Sequence, residues 1–288
     1  MNGHPAPHTC DPAPAPHPAE LAERLLAAIT PTGPLAVAFS GGVDSALVVA
    51  AAARALGPGR VLAVTAVSES LAAAELAPAR AFAAGLGVTH LTPRTRELDS
   101  AGYRANGTDR CYFCKAHSLA AVAELAAEHG FPHCATGTNA DDAADPHRPG
   151  IRAAAELGIH APLREAGLTK SDVRRLSRHW ALPTWDKPAQ PCLASRIRYG
   201  IEVTGHRLAR VDRAETAVRA LLRDAGLAVR DLRVRDLGDT VRVEADAPAL
   251  AGLARLDGLT AALRTAGFDQ HRVTTDVFRS GRLNTEPH

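Results

Sequence analysis

Short runs of apolar residues alternate with longer segments of helical periodicity along the first 200 residues of the chain. Four runs predict buried β-strands, at 35–39, 60–67, 88–91 and 131–136. The segments around them predict helices at 20–29, 44–56, 72–86 and 116–129. Strands that alternate with helices are joined by right-handed crossovers, which predicts a parallel sheet covered on both faces. The predicted fold class is therefore α/β and Rossmann-like.

The pattern changes near residue 200, after which arginine, alanine and leucine dominate. It predicts a long helix at 205–225, half-buried strands at 232–237 and 240–244, a helix at 247–266 and a last strand at 272–277. We therefore expect a disordered Pro-, His- and Ala-rich tail at 1–18, an α/β domain at 19–200 and a small α+β domain at 201–280.

Composition and charge argue against several classes of protein. The 288 residues are 46% hydrophobic and 22% charged, which is typical of a globular chain with a real core. A net charge of +2 gives no field for nucleic acid, and the abundant arginines are interpreted as a product of genomic base composition. The apolar runs fall short of the roughly 20 residues that span a bilayer, and no secretory signal is recognisable. We expect a cytoplasmic protein without nucleic-acid or membrane partners.

The most informative stretch follows the first predicted strand. It is a tight turn that leads directly into a helix and consists of Ser40, Gly41, Gly42, Val43, Asp44 and Ser45. Glycines let the backbone approach a ligand, and hydroxyls and helix-start amides can bind its phosphates. The spacing differs from that of a Walker loop or a dinucleotide fingerprint. It resembles the PP-loop of ATP pyrophosphatases, which cleave ATP between the α and β phosphates and adenylylate a substrate.

Three segments follow predicted strands at the edge of the sheet where ligands of parallel sheets bind. They are 40–45, 65–68 and 137–142. We expect them to bind ATP, with Asp44 holding magnesium (Mg2+) or orienting the phosphates. The further candidate ATP ligands are Thr65, Gly137, Asn139 and Asp141. On composition alone, 137–142 is equally compatible with a turn that has an Asx cap.

Five cysteines, an odd number, indicate free, metal-bound or catalytic thiols. Cys111 and Cys114 form a lone Cys-x-x-Cys at the entry to a helix, which can be a structural pair or a reactive one. The helix N-terminus is expected to lower their pKa values. Cys192 lies in a loop fixed by two prolines, and three thiolates can hold a 4Fe-4S cluster with one open iron. Cys134 and Cys10 are interpreted as bystanders.

Five motifs occur in an order that resembles the LarE family of ATP-dependent sulfur transferases. They are Ser40–Ser45, Arg110–Lys115, Gly137–Asp142, Ala166–Lys170 and Lys187–Ile197. The similarity extends from residue 20 to about 280, and the last motif is its most specific part. The resemblance implies a PP-loop ATP pyrophosphatase domain, a C-terminal domain for substrate binding or oligomerisation, and a homo-oligomer.

The resemblance also implies a reaction in the biosynthesis of the nickel-pincer nucleotide cofactor. ATP adenylylates a carboxylate of the small-molecule substrate, pyridinium-3,5-biscarboxylic acid mononucleotide; a protein sulfur then displaces AMP and leaves a thiocarboxylate. In one branch of the family, the cysteine that matches Cys192 gives up its own sulfur. In the other, this cysteine and a Cys-x-x-Cys pair hold a 4Fe-4S cluster that carries an extra sulfide from a donor.

This chain has all three thiols, so we favour the cluster branch, with Cys111, Cys114 and Cys192 as metal ligands. We expect the three to lie together and to face the ATP phosphates, because the activated carboxyl must meet the sulfur. The single-cysteine route remains the alternative.

The catalytic residues that the resemblance implies are Cys192, Asp44, Ser195 and Arg196. Arg196 is the first candidate to hold the anionic substrate, and Ser195 is a candidate hydrogen-bond donor. Arginine suits this task because its guanidinium pairs with a carboxylate or phosphate through two hydrogen bonds.

Three further residues match substrate-binding positions of the family. Arg233 and Arg235 resemble an Arg-x-Arg that faces the substrate phosphate, and alternate residues of a strand share one face. Glu215 falls where the family has an acidic residue near the active site. Exposed surface positions remain the alternative for all three, because the chain is rich in arginine and Glu215 lies on a charged helix.

Three other functions remain open on the sequence. A PP-loop tRNA thiolase would use the same ATP and cluster chemistry but would need an RNA-binding surface. An amide-forming PP-loop ligase, such as an NAD or GMP synthetase, would leave the three thiols unexplained. A regulatory nucleotide-binding module with thiol-bound zinc would show no turnover.

Overall fold

The structure is a computed structural model that describes residues 16–143, 149–253, 255–279 and 281–282. Cys10 and residues 1–15 of the predicted tail lie outside the described residues. The first helix begins at Pro18, and the ring Nδ1 of His17 accepts a hydrogen bond from the amide of Ala19 at 3.3 Å. His17 thus caps this helix.

The helices are α1 (Pro18–Ile29), α2 (Val43–Leu56), α3 (Ala73–Gly85), α4 (Ala101–Arg104), α5 (Arg110–Glu128), α6 (Ala140–Ala143), α7 (Pro149–Glu156), α8 (Pro162–Glu165), α9 (Lys170–His179), α10 (Gly205–Asp224), α11 (Ala247–Leu253) and α12 (Leu259–Thr265). The strands are β1 (Leu35–Ala38), β2 (Val61–Val64), β3 (Thr89–Leu91), β4 (His133–Ala135), β5 (Leu232–Asp236), β6 (Thr240–Ala245) and β7 (Arg272–Val277). Within the described ranges, no helix is long and apolar enough to cross a membrane.

The first four strands form one parallel sheet in the order β3-β2-β1-β4. In this sheet, Leu35 of β1 lies opposite Val61 of β2 and His133 of β4. The small and apolar residues of β1 are almost fully buried, because α1, α2 and α9 cover one face of the sheet and α5 covers the other. The predicted parallel α/β architecture is confirmed.

The crossovers reverse direction at β1. The chain runs from β1 through α2 and α3 to β2 and β3, and it then crosses back through α5 to β4 on the other side of β1. In open parallel sheets, ligands bind at the carboxyl ends of the two strands where the order reverses. The segments that leave β1 and β4 therefore border the crevice most suited to a ligand.

The last three strands form a second sheet, in which β6 is antiparallel to β5 and parallel to β7. Successive strand residues point to opposite faces, so the two faces of this sheet can differ in chemistry. One face is apolar and packs on α10, α11 and α12 through residues such as Leu232, Val234 and Val243. We call the opposite face the charged face, and its charged residues are Arg233, Arg235, Arg242, Glu244, Arg272 and Asp276.

Three local predictions were wrong. The Cys-x-x-Cys lies inside a helix, since α5 begins at Arg110 rather than after the second cysteine. The single helix expected at 247–266 is divided into α11 and α12, because Gly258 has a φ of 124° that a right-handed helix excludes. The stretch at 94–110, whose polar sequence predicts irregular structure, contains α4 and a 3-10 turn. The domain boundary near residue 200 stays a prediction.

Candidate active site

Hydroxyl groups hold the loop at 40–45 in shape. The Ser45 hydroxyl accepts a hydrogen bond from the Ser40 amide at 3.2 Å and donates one to the Gly42 carbonyl at 3.2 Å. Gly41 has a φ of 70°, a left-handed conformation that glycine adopts without strain. No side chain of the described residues caps the N-terminus of α2. Its first amides can therefore bind an anion in the crevice.

Asp44, in the first turn of α2, is held by two residues from other segments. Its carboxylate accepts a hydrogen bond from the Asn139 side-chain amide at 3.1 Å and forms a short ion pair with the Lys170 ammonium. The backbone amide of Lys170 donates in turn to the Asp141 carboxylate at 2.8 Å. The ammonium of Lys170 thus balances the charge of the Asp44 carboxylate. A metal ion bound at Asp44 would compete with Lys170 for a carboxylate oxygen.

The segment after β4 approaches the loop closely. A Cβ atom on Gly137 would lie 2.6 Å from the backbone nitrogen of Ser45, so the close approach requires glycine. Asn139 is 2% exposed, and its side-chain oxygen accepts hydrogen bonds from the two amides that follow Ala140, at 3.0 and 3.2 Å. The Asx cap considered as an alternative is therefore present. The same side chain also reaches Asp44, so the cap and the loop share one residue.

Two predicted ATP ligands use their side chains elsewhere. The Thr65 hydroxyl donates to the Phe39 carbonyl at 2.6 Å and lies 2.8 Å from Nε2 of His90. Because its proton goes to the carbonyl, the hydroxyl accepts the His90 hydrogen bond. The Val43 side chain is 4% exposed and packs in the core under the sheet. Each of the two predicted ligands can therefore contribute only its backbone to a nucleotide.

Residues 187–197, which we call the bridging segment, connect the loop to the second sheet. Near its start, the Lys187 ammonium donates to the Gly41 carbonyl at 3.0 Å. The residue after Cys192 donates its amide to the carbonyl of Ser70, which follows β2, at 2.8 Å. Cys192 therefore lies between two contacts with the carboxyl edge of the parallel sheet.

Arg196 is 1% exposed and holds the bridging segment from the inside. Its guanidinium forms a double hydrogen bond with Glu215 of α10, at 2.9 and 3.2 Å. It also donates to the carbonyl of Pro191 and, at 3.2 Å, to that of Cys192. The Ser195 hydroxyl donates to the same Cys192 carbonyl at 2.7 Å. These side chains fix the backbone of the cysteine, and Glu215 is buried rather than exposed.

Asn106 and Arg110 join the bridging segment to the helix that carries the Cys-x-x-Cys pair. Arg110 donates to the Ala194 carbonyl at 2.9 Å and to the side-chain oxygen of Asn106. The Asn106 amide donates to two carbonyls just after the segment, each at 2.8 Å. Both side chains are buried. The first turn of α5 and the segment with Cys192 are therefore held together by hydrogen bonds.

The thiol of Cys114 lies close to those of Cys111 and Cys192, and its pKa responds to both. Burial raises the pKa of Cys114 above its ordinary value of 9.0, and negative charge on Cys192 and Cys111 raises it further. Burial alone would lower the pKa of Arg110, but the charge of the same two thiols outweighs burial and raises it. Cys114 and Arg110 are therefore both close enough to Cys111 and Cys192 to respond to their charge. The expectation of a lowered pKa was wrong for Cys114, because burial dominates over the helix N-terminus.

The thiols of the described residues are all free. Cys111 is exposed, whereas Cys114 and Cys192 are half-buried. As they stand, no three His, Cys, Asp or Glu side chains of the described ranges form a group that could hold a metal ion. Cys134 lies in β4, where burial raises its pKa.

Arg233 and Arg235 are 2% and 6% exposed, on the charged face of the second sheet. Arg235 pairs with Glu244 at 2.8 Å and donates to the Ser195 carbonyl at 3.1 Å. Arg233 donates to two backbone carbonyls, one of them in the bridging segment. Burial, together with the positive charge of Arg196, lowers the pKa of Arg233 to about 10. Both arginines thus lie beside the bridging segment and already bind protein groups.

Two lysines at the site were missed by the sequence reasoning, although each lies in a quoted motif. Lys170 contacts the loop through Asp44, and Lys187 contacts it through Gly41 and pairs with Glu75 at 2.6 Å. The sequence did offer one signal, the rarity of lysine, because only three of the 33 lysine and arginine residues are lysines. In a chain this rich in arginine, a lysine marks a position where the compact ammonium on a flexible side chain can do what a planar guanidinium cannot.

Comparison with known proteins gives matches to a family and to individual proteins. A sequence profile of the asparagine synthase family matches residues 21–103. The chain is 39% identical over 251 residues to an uncharacterised protein of Synechocystis sp., covering 86% of this chain and 91% of that protein. It is 32% identical over 261 residues to the pyridinium-3,5-bisthiocarboxylic acid mononucleotide synthase of Lactiplantibacillus plantarum, covering 90% and 92%.

Proposed function

This chain belongs to the LarE family of ATP-dependent sulfur transferases, and we propose that its substrate is a pyridinium dicarboxylate mononucleotide. In the proposed reaction, ATP adenylylates a carboxylate of pyridinium-3,5-biscarboxylic acid mononucleotide, which then becomes a thiocarboxylate on the way to the nickel-pincer nucleotide. The name of the Lactiplantibacillus plantarum relative, 32% identical over 90% of this chain, supports the choice of substrate.

The bridging segment is the main structural support for this proposal. It contacts the PP-loop, residues 40–45, where Lys187 binds Gly41 at 3.0 Å, and it contacts the Cys-x-x-Cys helix where Ala194 accepts from Arg110 at 2.9 Å. We infer that this segment holds the sulfur of Cys192 near the loop that we assign to the phosphates. Transfer requires this proximity, because the thiolate must reach the activated carboxyl group.

In the adenylylation step, a carboxylate oxygen of the substrate attacks the α phosphorus of ATP, and the bond to the departing pyrophosphate breaks. We assign phosphate binding to the hydroxyls and amides at the start of α2, from Ser40, Gly41, Gly42 and Ser45. Asn139 holds Asp44 in position through their hydrogen bond. Asp44 is the residue that would hold Mg2+, an ion that neutralises phosphate charge when bound.

In the transfer step, a thiolate attacks the acyl carbon, and the carbon–oxygen bond to AMP breaks. Arg196 and Ser195 keep the Cys192 backbone fixed during this attack through their hydrogen bonds to its carbonyl. The positive charge that lowers the pKa of Arg233 favours an anionic group of the substrate beside it. We therefore assign substrate binding to Arg196, Arg233 and Arg235, with Glu215 as the residue that orients Arg196.

We propose that Cys111, Cys114 and Cys192 hold a 4Fe-4S cluster. The support is three free thiols that interact electrostatically, two of them one turn apart on α5. Such a cluster, when bound, supplies a sulfide that a sulfide donor can replace. The thiols must approach one another and lose their protons for ligation, and the raised pKa of Cys114 makes that loss harder at neutral pH.

The competing route consumes Cys192 itself. Its Cβ–Sγ bond breaks after transfer, the α proton leaves, and dehydroalanine remains at position 192. This route needs only the thiol of the bridging segment, and it assigns no role to the two thiols on α5. Protein mass after turnover separates the routes: the cluster route leaves the chain intact, and the sacrificial route removes the elements of hydrogen sulfide from residue 192.

We also propose that the protein acts in the cytoplasm as a homo-oligomer. Free thiols persist in reducing compartments, and the described cysteines are free. Size measurement in solution tests the oligomer, and fractionation of cells tests the location.

Product analysis tests the proposed function. With the pyridinium mononucleotide and ATP, we expect AMP, pyrophosphate and a thiocarboxylate; ADP as the product would contradict the assignment. Asp44→Asn should lower turnover about 100-fold, because an electrostatic contact to the transition state is lost. Asp224→Asn is the matched control, since Asp224 is exposed on α10 and should leave turnover unchanged. Equal rates for the two variants would show that Asp44 has no role in the reaction.

A further inference from the structure

A second cavity lies on the charged face of the second sheet. Its volume is about 390 Å³, and its lining includes none of the residues assigned above to the PP-loop, the thiols or the Arg233 and Arg235 pair. The arginines that line it are Arg198, Arg242, Arg272 and Arg282. The cavity is thus a separate, strongly basic site.

Two of these arginines are paired and form a fixed wall. Arg282 pairs with Asp276 at 2.6 Å, and Arg242 lies 3.6 Å from a carboxylate oxygen of Glu244. Glu244 is fully buried and is shared with Arg235, so Arg242 is anchored to the same network that holds the second sheet together. These carboxylate contacts hold the guanidinium groups of Arg242 and Arg282 at the cavity wall even when no ligand is bound.

The other two arginines lack a carboxylate partner. Within the described ranges, no acidic side chain pairs with Arg198 or Arg272, although both are exposed at the cavity. The Arg272 guanidinium donates only a long hydrogen bond, of 3.4 Å, to the Thr240 hydroxyl. Two guanidinium groups therefore keep donors that can bind an anion.

The strand register brings like charges close together. Arg272 of β7 lies opposite Thr240 of β6, and Thr274 lies opposite Arg242, so the two arginines are diagonal neighbours across the strands. Diagonal neighbours of a sheet are within reach of each other when their side chains are long, so the two guanidinium groups can repel each other. The carboxylates that line the cavity, Asp239 and Asp276, balance only two of its four positive charges. An anion in the cavity would relieve the remaining repulsion.

We propose that this cavity binds a phosphate-bearing anion, either inorganic phosphate or the phosphate group of a mononucleotide. Guanidinium groups fit phosphate oxygens with paired hydrogen bonds, and the hydroxyls of Thr240 and Thr274 lie in the same lining. The lining shares no residue with the thiols, the PP-loop or the Arg233 and Arg235 pair, although Glu244 contacts both Arg235 and Arg242.

Calorimetric titration with sodium phosphate at low ionic strength tests the proposal, with the PP-loop blocked by Mg2+ and a non-hydrolysable ATP analogue. The variants are Arg198→Ala combined with Arg272→Ala, and Arg272→Lys. Arg223→Ala is the matched control, since Arg223 is an exposed arginine of α10 outside the cavity. A parallel titration with AMP distinguishes a site for free phosphate from one for a mononucleotide, and binding of either anion supports the proposal where the double variant weakens it, since Arg233 and Arg235 are unchanged in that variant.

We expect the parent and Arg223→Ala to bind one anion, and the double variant to bind it at least about tenfold more weakly. Arg272→Lys should weaken binding less than the double variant, because it keeps the charge but loses the paired donors. The proposal is overturned if the parent binds no anion with the PP-loop blocked, or if the double variant binds as tightly as the parent. A change of oligomeric state in the double variant, with phosphate affinity unaltered, would overturn it as well and would identify a subunit contact.

Discussion

The two sheets of this protein place charge in opposite ways. In the parallel sheet, the strands are apolar, and the charged residues Asp44, Asp141 and Lys170 meet in the segments beyond the strand ends. In the second sheet, the strands themselves carry the charges, and Asp236 and Glu244 are 0% exposed. One sheet thus holds a site at its edge, and the other contains buried ion pairs within its own strands.

The charges of the two sheets are stabilised by different surroundings. Burial alone would raise the pKa of Asp236, but hydrogen bonds from Arg210 and Arg207, at 2.5 and 2.7 Å, outweigh burial and lower it. Asp44, by contrast, pairs with Lys170, whose side chain is 40% exposed. A half-exposed pair can exchange its partner for a metal ion or a phosphate, whereas a buried pair cannot open without leaving an unpaired charge. The ion pair at the edge of the parallel sheet can therefore exchange a partner for a ligand, whereas the buried ion pairs of the second sheet stabilise the fold.

Loss of a buried ion pair in the second sheet should destabilise the protein most. Asp236→Ala should lower the free energy of unfolding by about 3–5 kcal/mol, because it leaves the guanidinium groups of Arg207 and Arg210 without their shared carboxylate. Urea unfolding measures the change. The matched control is Asp224→Ala on the exposed face of α10, which should change the free energy by less than about 0.5 kcal/mol.

Acid adds a second readout for the same residue. A lowered pKa means that the stability from Asp236 is present above its ordinary value of 3.8 and is lost as the pH falls through the lower, folded-state value. The parent should therefore lose stability on acidification more steeply than Asp236→Ala. Parallel curves for the two proteins would show that the pair contributes nothing to acid sensitivity.

A smaller effect is expected at the edge of the parallel sheet. Gly137→Ala would place a methyl group 2.6 Å from the Ser45 backbone nitrogen, and the resulting shift should cost about 1–3 kcal/mol. ATP binding should weaken with it, since the displaced atoms belong to the PP-loop. Gly85→Ala at the end of α3 has open space and is the control. Unchanged ATP affinity in Gly137→Ala would mean that the loop can yield without loss.

The smallest effect concerns the thiols, where reactivity rather than folding should change with pH. Alkylation of the metal-free protein at pH 8 should modify the exposed Cys111 at least about tenfold faster than Cys114, whose pKa is raised above 9.0. Peptide mass spectrometry measures the alkylation rates of both cysteines. Any contribution of protonated Cys114 to the free energy of unfolding is present below pH 9.0 and is lost at higher pH. Equal rates at pH 8 would show that burial does not control this thiol.

The parallel sheet could be predicted because its signals are local. A buried strand, two glycines and a helix start occur within one stretch of 11 residues, 35–45, and each agrees with the others. The roles of Thr65 and Val43 could not be read in this way, because side-chain direction at a strand end depends on neighbours such as His90. The sequence places a residue at the edge of the sheet but does not orient it.

The buried charges of the second sheet were harder to predict. Arginine is so common in this chain that its presence at 196, 233 or 235 carried no weight by itself. The burial of Arg196 and Arg235 depends on carboxylates of other elements, Glu215 on α10 and Glu244 on β6, and that of Arg233 on backbone carbonyls. Asn106, with a φ of 55°, gave no signal, because the carbonyls that its side-chain amide binds lie more than 90 residues away.

The strand order of the parallel sheet also sets the sequence of events as the chain folds. β1 pairs with β2 across 61 − 35 = 26 residues but with β4 across 133 − 35 = 98 residues. The longer closure adds roughly 1 kcal/mol of chain entropy, and β4 leaves the ribosome last of the four strands. We therefore expect β1 to have one unpaired edge until about residue 135 has been synthesised. The crevice between β1 and β4, where we expect ATP to bind, is then the last part of this sheet to form. A bound nucleotide would therefore stabilise the newly made chain at the last pair of strands to assemble.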